Sequence, residues 1–282
     1  MAKMNFFFYL LSIYKDITKK PKHMKTQSYY IPNELLTTRN KKLVKGEKFG
    51  YKTYGLSLSP YNQNSQGKNI CPMASLGCAS ACLFGAGHGS MSNVIKGRTN
   101  KTEFFLANRQ GFLNMLFIEI AQLELKHKLE KTKFAIRLNV TSDISWENFK
   151  LEATGKNIFE SFPNVIFYDY TKNYLRFKKE LPKNYSLTFS RSETNDKIAM
   201  ELLKTGINVA MVFDKIPTEY KGYKVIDGDI SDTRFLDDKG IIVGLKYKKL
   251  TGKGVDNNEA FKSGFAIKLK SPSFNVPVKL AA

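Results

Sequence analysis

Histidine, cysteine and acidic side chains are all scarce in this chain, and each shortage narrows what it can be. Three cysteines in 282 residues are an odd number, and no signal-peptide cleavage site follows the apolar start. Together these exclude a disulfide framework and point to a cytoplasmic protein. The three histidines, His23, His88 and His127, stand apart from one another, so the histidine pair used by many metal-dependent nucleases is missing. The apolar run FFFYLLSIY at residues 6–14 falls short of the roughly 20 apolar residues that span a bilayer. No transmembrane segment is expected, and the run reads as a short helix or docking segment. No internal repeat or low-complexity block occurs. Acidic residues number 25 against 45 basic ones, a net charge of +20. So basic a chain calls for a polyanionic partner, and nucleic acid, DNA or RNA, is the expected one.

What the chain does have is a concentration of soft ligands. Cys71, Cys78 and Cys82 all fall in CPMASLGCASACLFGAGH, with His88 at its end. One helical turn between Cys78 and Cys82 puts both sulfurs on one side, and the Gly- and Ser-rich stretch before them lets Cys71 fold back. Such a loop can hold zinc, with His88 as fourth ligand, or three irons of a [4Fe–4S] cluster, leaving one iron open. Small buried packing residues are the plainer alternative.

Residues 1–49 read as a basic arm with a short apolar helix, 50–270 as one α/β domain and 271–282 as a tail. Alternation marks a strand at 54–59, which Pro60 ends. Apolar residues at three- and four-residue intervals predict one long helix over 102–131. Short apolar strands at 134–140, 165–170, 186–190, 208–213, 225–227 and 241–247 then alternate with helical segments at 174–181 and 194–204. That rhythm predicts parallel pairing, in an open sheet or a partial or complete (β/α) barrel. The Gly- and Lys-rich stretch 248–270, which ends in an alternating FAIKL strand, lacks the P-loop pattern and reads as a surface hairpin, with a phosphate contact by its backbone as the alternative.

The ends of these strands are polar: Arg137, Asn139 and Asp143; Asp169 and Lys172; Ser190, Arg191 and Glu193; Asp227 and Asp229. A parallel α/β fold gathers such ends on one face. Asp143, Asp169, Lys172, Arg191, Glu193, Asp227 and Asp229 are the candidate catalytic residues, as general acids or bases or as ligands of a hard cation such as magnesium. Arg137, Asn139 and Ser190 are candidates for cofactor binding. Asp, Ser and Asn also cap helices and make turns, so some of these residues need do no more.

Taken together, CPMASLGCASACLFGAGHG, RLNVTSDISWE, FYDYTK, LTFSRSE and VIDGDISDTRFLD resemble a family of phage and plasmid proteins called gene product eighty-eight-like, over roughly residues 50 to 268. The resemblance implies a mobile-element origin. A more distant likeness is to radical S-adenosylmethionine enzymes, in which a partial barrel carries three cluster cysteines after its first strand. It implies an iron–sulfur cluster and bound S-adenosylmethionine. The spacing here is CxxxxxxCxxxC in place of their CxxxCxxC, and RLNVTSD stands where their Gly-Gly-Glu signature would be. The leading expectation is a nucleic-acid-binding enzyme with a cysteine-held cluster or metal. Its rivals are a metal-dependent nuclease or replication-initiation protein with structural zinc, and a non-enzymatic nucleic-acid-binding protein.

Overall fold

The computed structural model describes residues 29–82, 87–250 and 256–269. The Phe6–Tyr14 run and the tail at 271–282 lie outside the described residues. The elements are β1 (Leu36–Thr37), α1 (Lys41–Val44), β2 (Tyr51–Leu56), α2 (Leu76–Ser80), α3 (Ser92–Ala107), α4 (Arg109–Glu130), β3 (Lys133–Arg137), α5 (Ile158–Ser161), β4 (Ile166–Thr171), β5 (Tyr185–Ser190), α6 (Asp196–Lys204), β6 (Val209–Phe213), β7 (Glu219–Tyr220), β8 (Tyr223–Asp227), β9 (Ile242–Lys246), α7 (Glu259–Lys262) and β10 (Ala266–Ile267).

The strands form one 10-stranded sheet in the order β1-β2-β3-β4-β5-β6-β9-β8-β7, with β10 pairing β6. All pairings from β2 to β8 are parallel, and only β1 with β2 and β7 with β8 run antiparallel. Central strands such as VAMVF and IVGLK are apolar along most of their length because parallel strands are covered on both faces. The sheet is open. Its edges are the two-residue antiparallel strands β1 and β7, which end the parallel run at either side, so the complete barrel is not formed.

The helical layer supplies the larger core. Phe104, Phe112, Leu116 and Ile120 pack with Leu56, Ile136, Leu138, Phe167 and Trp146. Each such side chain contributes about 1.5–3 kcal/mol on burial. The single helix expected at 102–131 is instead two, broken at Asn108 (φ −141°, ψ 77°), whose side chain accepts the Gly111 N–H and so starts α4. A Cβ at Gly111 would stand 2.6 Å from the Asn108 amide, so this cap needs glycine. The apolar spacing runs through the break because both helices face the same core. No helix among the described residues is long and apolar enough to cross a membrane.

Two expectations at the chain ends are corrected. Residues 29–50 are no free arm: Leu35, Leu36 and Leu43 are buried, and the N–H groups of Leu35 and Leu36 donate to the Glu119 carboxylate at 2.7 and 2.9 Å. Nor is the described part of 248–270 a surface hairpin, since it forms α7 and then β10, which runs parallel to β6. β9 occupies one edge of β6 along its whole length. β5 takes the other edge at Val209 and Ala210, and β10 takes it over at Val212 and Phe213. The sheet therefore splays beyond Ser190, and β10 fills the gap.

Candidate active site

At the carboxyl ends of the parallel strands lies a cavity of about 220 Å³. Cys71, Cys78 and Cys82 line it together with Arg137, Asn139, Asp143, Lys172, Ser190 and Asp229. Those residues are spread over more than half the chain, and the topology alone brings them together.

The cysteine loop is fixed from both sides. Ser75 caps α2, its hydroxyl accepting from the Cys78 N–H at 3.1 Å. Glu193, just past β5, accepts from the Gly77 N–H and the Ser75 hydroxyl, both at 2.8 Å. A side chain at Gly77 would meet Glu193 and Phe265 at 2.8 Å, so glycine lets the helix sit against them. Glu193 is thus a positioning residue for the cysteines. The Cys71 sulfur accepts from the Tyr61 N–H at 3.4 Å, and burial pushes its thiol up to about 12. Lys172 donates to Ser190 Oγ at 3.1 Å and shares a hydrogen bond with Cys78. Burial works against its charge, but Cys78 and Asp143 outweigh that and raise its pKa.

The remaining candidates divide. Arg137 is buried, pairs with Asp232 at 2.8 Å and lies over the Tyr170 ring at 4.5 Å, while its Nε has no partner. Asp229 faces the cavity but is held by Lys248 at 3.1 Å and by the Lys246 N–H at 3.1 Å. Asn139 has no capacity left for a cofactor: its Oδ1 accepts from Ser142, Ile144 and Trp146, and its Nδ2 donates to the Ile144 carbonyl at 2.9 Å. It shapes the loop that carries Thr141, Ser142 and Asp143. Asp169 is fully buried beneath that loop, accepting from the Asn139 N–H at 2.6 Å and the Tyr185 hydroxyl at 2.9 Å. Burial lifts its carboxyl to about 7 despite Arg137 nearby.

Two candidates have other work. Arg191 pairs with Asp196 at 2.9 Å and donates to the Gly264 and Phe265 carbonyls, pinning β10 into the sheet. Asp227 is exposed and accepts the Asp229 N–H at 2.8 Å, which makes it a turn residue. The His88 side chain lies outside what the structure describes.

Sequence reasoning missed Lys42, Tyr170, Tyr247, Lys248 and Phe265, which also line the cavity. Lys42 stood in a basic arm that reads equally as solvated or as contacting phosphates, and Phe265 in the strand of a surface hairpin. Burial brings the Lys42 ammonium down to about 8, with Asp232 opposing the fall and Arg137 and Lys248 adding to it.

None of the three cysteines is in a disulfide, and they lie close enough that charge on Cys82 and Cys78 raises Cys71 further. Among the described residues no three His, Cys, Asp or Glu side chains are gathered so as to hold one metal ion. Of the carboxylates, Asp143 and Glu147 share Arg176, Asp169 is held by Asn139 and Tyr185, and Asp229 by Lys248.

Residues 34–268 match the family described as Gene product 88. No curated protein and no solved structure matches the chain.

Proposed function

The chain belongs to the Gene product 88 family of phage and plasmid proteins, and on that premise we propose that its cavity is the active centre of a cytoplasmic, nucleic-acid-binding enzyme whose cysteines hold an iron–sulfur cluster. The observation that carries this reading is that all three cysteines of the chain line one cavity, at the end of the sheet where strand-end polar residues meet. A cubane cluster suits three thiols that surround a space better than a single ion does, because each thiol binds a different iron. With three protein ligands such a cluster would offer one open iron to the cavity. Lys172 would offset the thiolate charge of Cys78, and Glu193 would keep α2 in place. The cysteine loop follows β2, the first parallel strand, and β2 to β6 lie in sequence order. S-adenosylmethionine, implied by the distant likeness read from the sequence, is the cofactor to test first. The scattered carboxylates give no support to a magnesium-dependent nuclease with structural zinc.

Anaerobically purified protein should contain iron and acid-labile sulfide and show sulfur-to-iron charge-transfer absorption. Cys78→Ser or Cys82→Ser should lose most of the iron while keeping the native far-UV circular dichroism. Zinc without sulfide would favour the nuclease, and full metal content in both variants would remove the site.

The charge of +20 supports the nucleic-acid part of the reading. Each phosphate neutralised by Lys or Arg releases condensed counterions, so affinity should fall by about 10³-fold or more between roughly 50 and 200 mM salt if six or more phosphates are contacted. Fluorescence anisotropy with single- and double-stranded DNA and RNA measures this. Salt-independent binding, or none at low salt, would refute it.

A further inference from the structure

The charges around the cavity fall into two groups. Lys172 answers to Cys78, Asp143 and Cys71, whereas Lys42 answers to Asp232, Arg137, Lys248 and Asp229. In the second group Asp232 is taken by Arg137 at 2.8 Å and Asp229 by Lys248 at 3.1 Å. Among the described residues, Lys42 therefore adds a third cation with no carboxylate paired to it alone. Arg137, only 7% exposed, keeps a buried Nε without a partner. Arg176 and Arg234 also bury a guanidinium nitrogen with no hydrogen-bond partner, but of these three arginines only Arg137 lines the cavity, as Lys42 does, and both cations are costly to desolvate.

We propose that Lys42 and Arg137 form a phosphate subsite, and that the cavity seats one nucleotide by its phosphate, either a free mononucleotide or the phosphorylated end of a strand. Ammonium and guanidinium together supply donors suited to phosphate oxygens, and because Asp232 and Asp229 are already paired with Arg137 and Lys248, Lys42 leaves the group with a net positive charge for an anion to meet. Much of the remaining wall is apolar, with Val212, Leu245 and Phe265 from β6, β9 and the turn before β10, and it would receive the sugar or base. At about 220 Å³ the cavity lies below the roughly 300–1,000 Å³ usual for drug-sized ligands. It would take the phosphate and the unit next to it, and it has no room for a duplex. The subsite rests on reading this cavity as the active centre, and does not depend on what the thiols hold.

The test is calorimetric titration of the full chain with inorganic phosphate, a nucleoside 5′-monophosphate, the unphosphorylated nucleoside and succinate. Phosphate and the monophosphate should bind and the nucleoside should not. Lys42→Met should weaken the monophosphate at least tenfold with an unchanged or higher Tm, and Lys42→Arg should restore most of the binding. Competition between the mononucleotide and a short single strand with a 5′-phosphate identifies the source, and preference for either fits the subsite. Equal affinity for nucleoside and monophosphate, equal affinity for succinate, or full binding by Lys42→Met would overturn it. Iron content, which Lys42→Met leaves alone, reports on the cysteines separately.

Discussion

Arg176→Met should cost the fold about 3–5 kcal/mol, the range for breaking a buried ion pair by removing one partner. Arg176 follows β4 and is 3% exposed. Its Nε and Nη2 grip the Glu147 carboxylate at 2.8 and 2.7 Å. The Nη2 also donates to the Tyr185 hydroxyl at 2.8 Å, and Nη1 stands 3.7 Å from Asp143. Without the guanidinium, two carboxylates at the end of β3 would face each other with no cation between them. Tyr185 would lose the donor that polarises its own bond to Asp169. Lysine keeps the charge but cannot grip two oxygens in a plane, so Arg176→Lys should fall between wild type and Arg176→Met. Urea unfolding reads this as a lower midpoint at unchanged m-value. A loss below about 1 kcal/mol, the level of an exposed pair, would mean that water or protonation replaces the arginine, and that the network is no part of the site's scaffold.

The same network shows why the sequence carried the meeting of the strand ends better than the contacts each residue makes there. Alternating strands and helices imply parallel pairing, and parallel pairing gathers the strand ends, so the meeting of Cys71, Arg137, Lys172 and Asp229 could be read from local patterns. Whether a given carboxylate faces the cavity depends on a partner far along the chain. Glu193 looked catalytic until Gly77, 116 residues away, supplied its donor, and Asp169 is tied to Asn139, 30 residues away. Asp227 goes the other way, since a residue two positions on makes it an ordinary turn.

The fold shows the same division. Apolar strands of five or six residues announced themselves, and so did the alternation of FAIKL that holds β10, but its place beside Val212 and Phe213 did not, and the two-residue β1 is defined only by Leu56 and Gly55 beside it. The break at Asn108 left no mark in the apolar spacing, because a polar residue between two helices that share a core shifts no hydrophobic position. Lys42 shows the limit most directly. In a lysine-rich stretch every lysine looks alike, and only the packing of α1 beside β2 makes this one part of the cavity.

Asp232→Asn should be more damaging than Arg137→Met, although the two residues form one salt bridge. Arg137 is 7% exposed and Asp232 1%. Burial alone would raise the Asp232 carboxyl, but Arg137, Lys42 and Arg234 together hold it below its ordinary value. Removing Arg137 therefore leaves Asp232 with cations to answer it. Removing the Asp232 charge leaves Arg137 and Lys42 repelling each other, with Asp229, already held by Lys248, and Asp169, already held by Asn139 and Tyr185, to moderate them. The expected cost is about 3–5 kcal/mol for Asp232→Asn and clearly less for Arg137→Met. The double variant should cost less than the sum of the singles by about 0.5–3 kcal/mol, the coupling of residues in contact. Phosphate adds a further reading, because a ligand of the folded state alone stabilises in proportion to RT ln(1 + [L]/Kd). Asp232→Asn concentrates uncompensated positive charge at the proposed subsite, so saturating phosphate should raise its Tm more than that of the wild type. An equal rise in both proteins would place the phosphate somewhere other than beside Lys42 and Arg137.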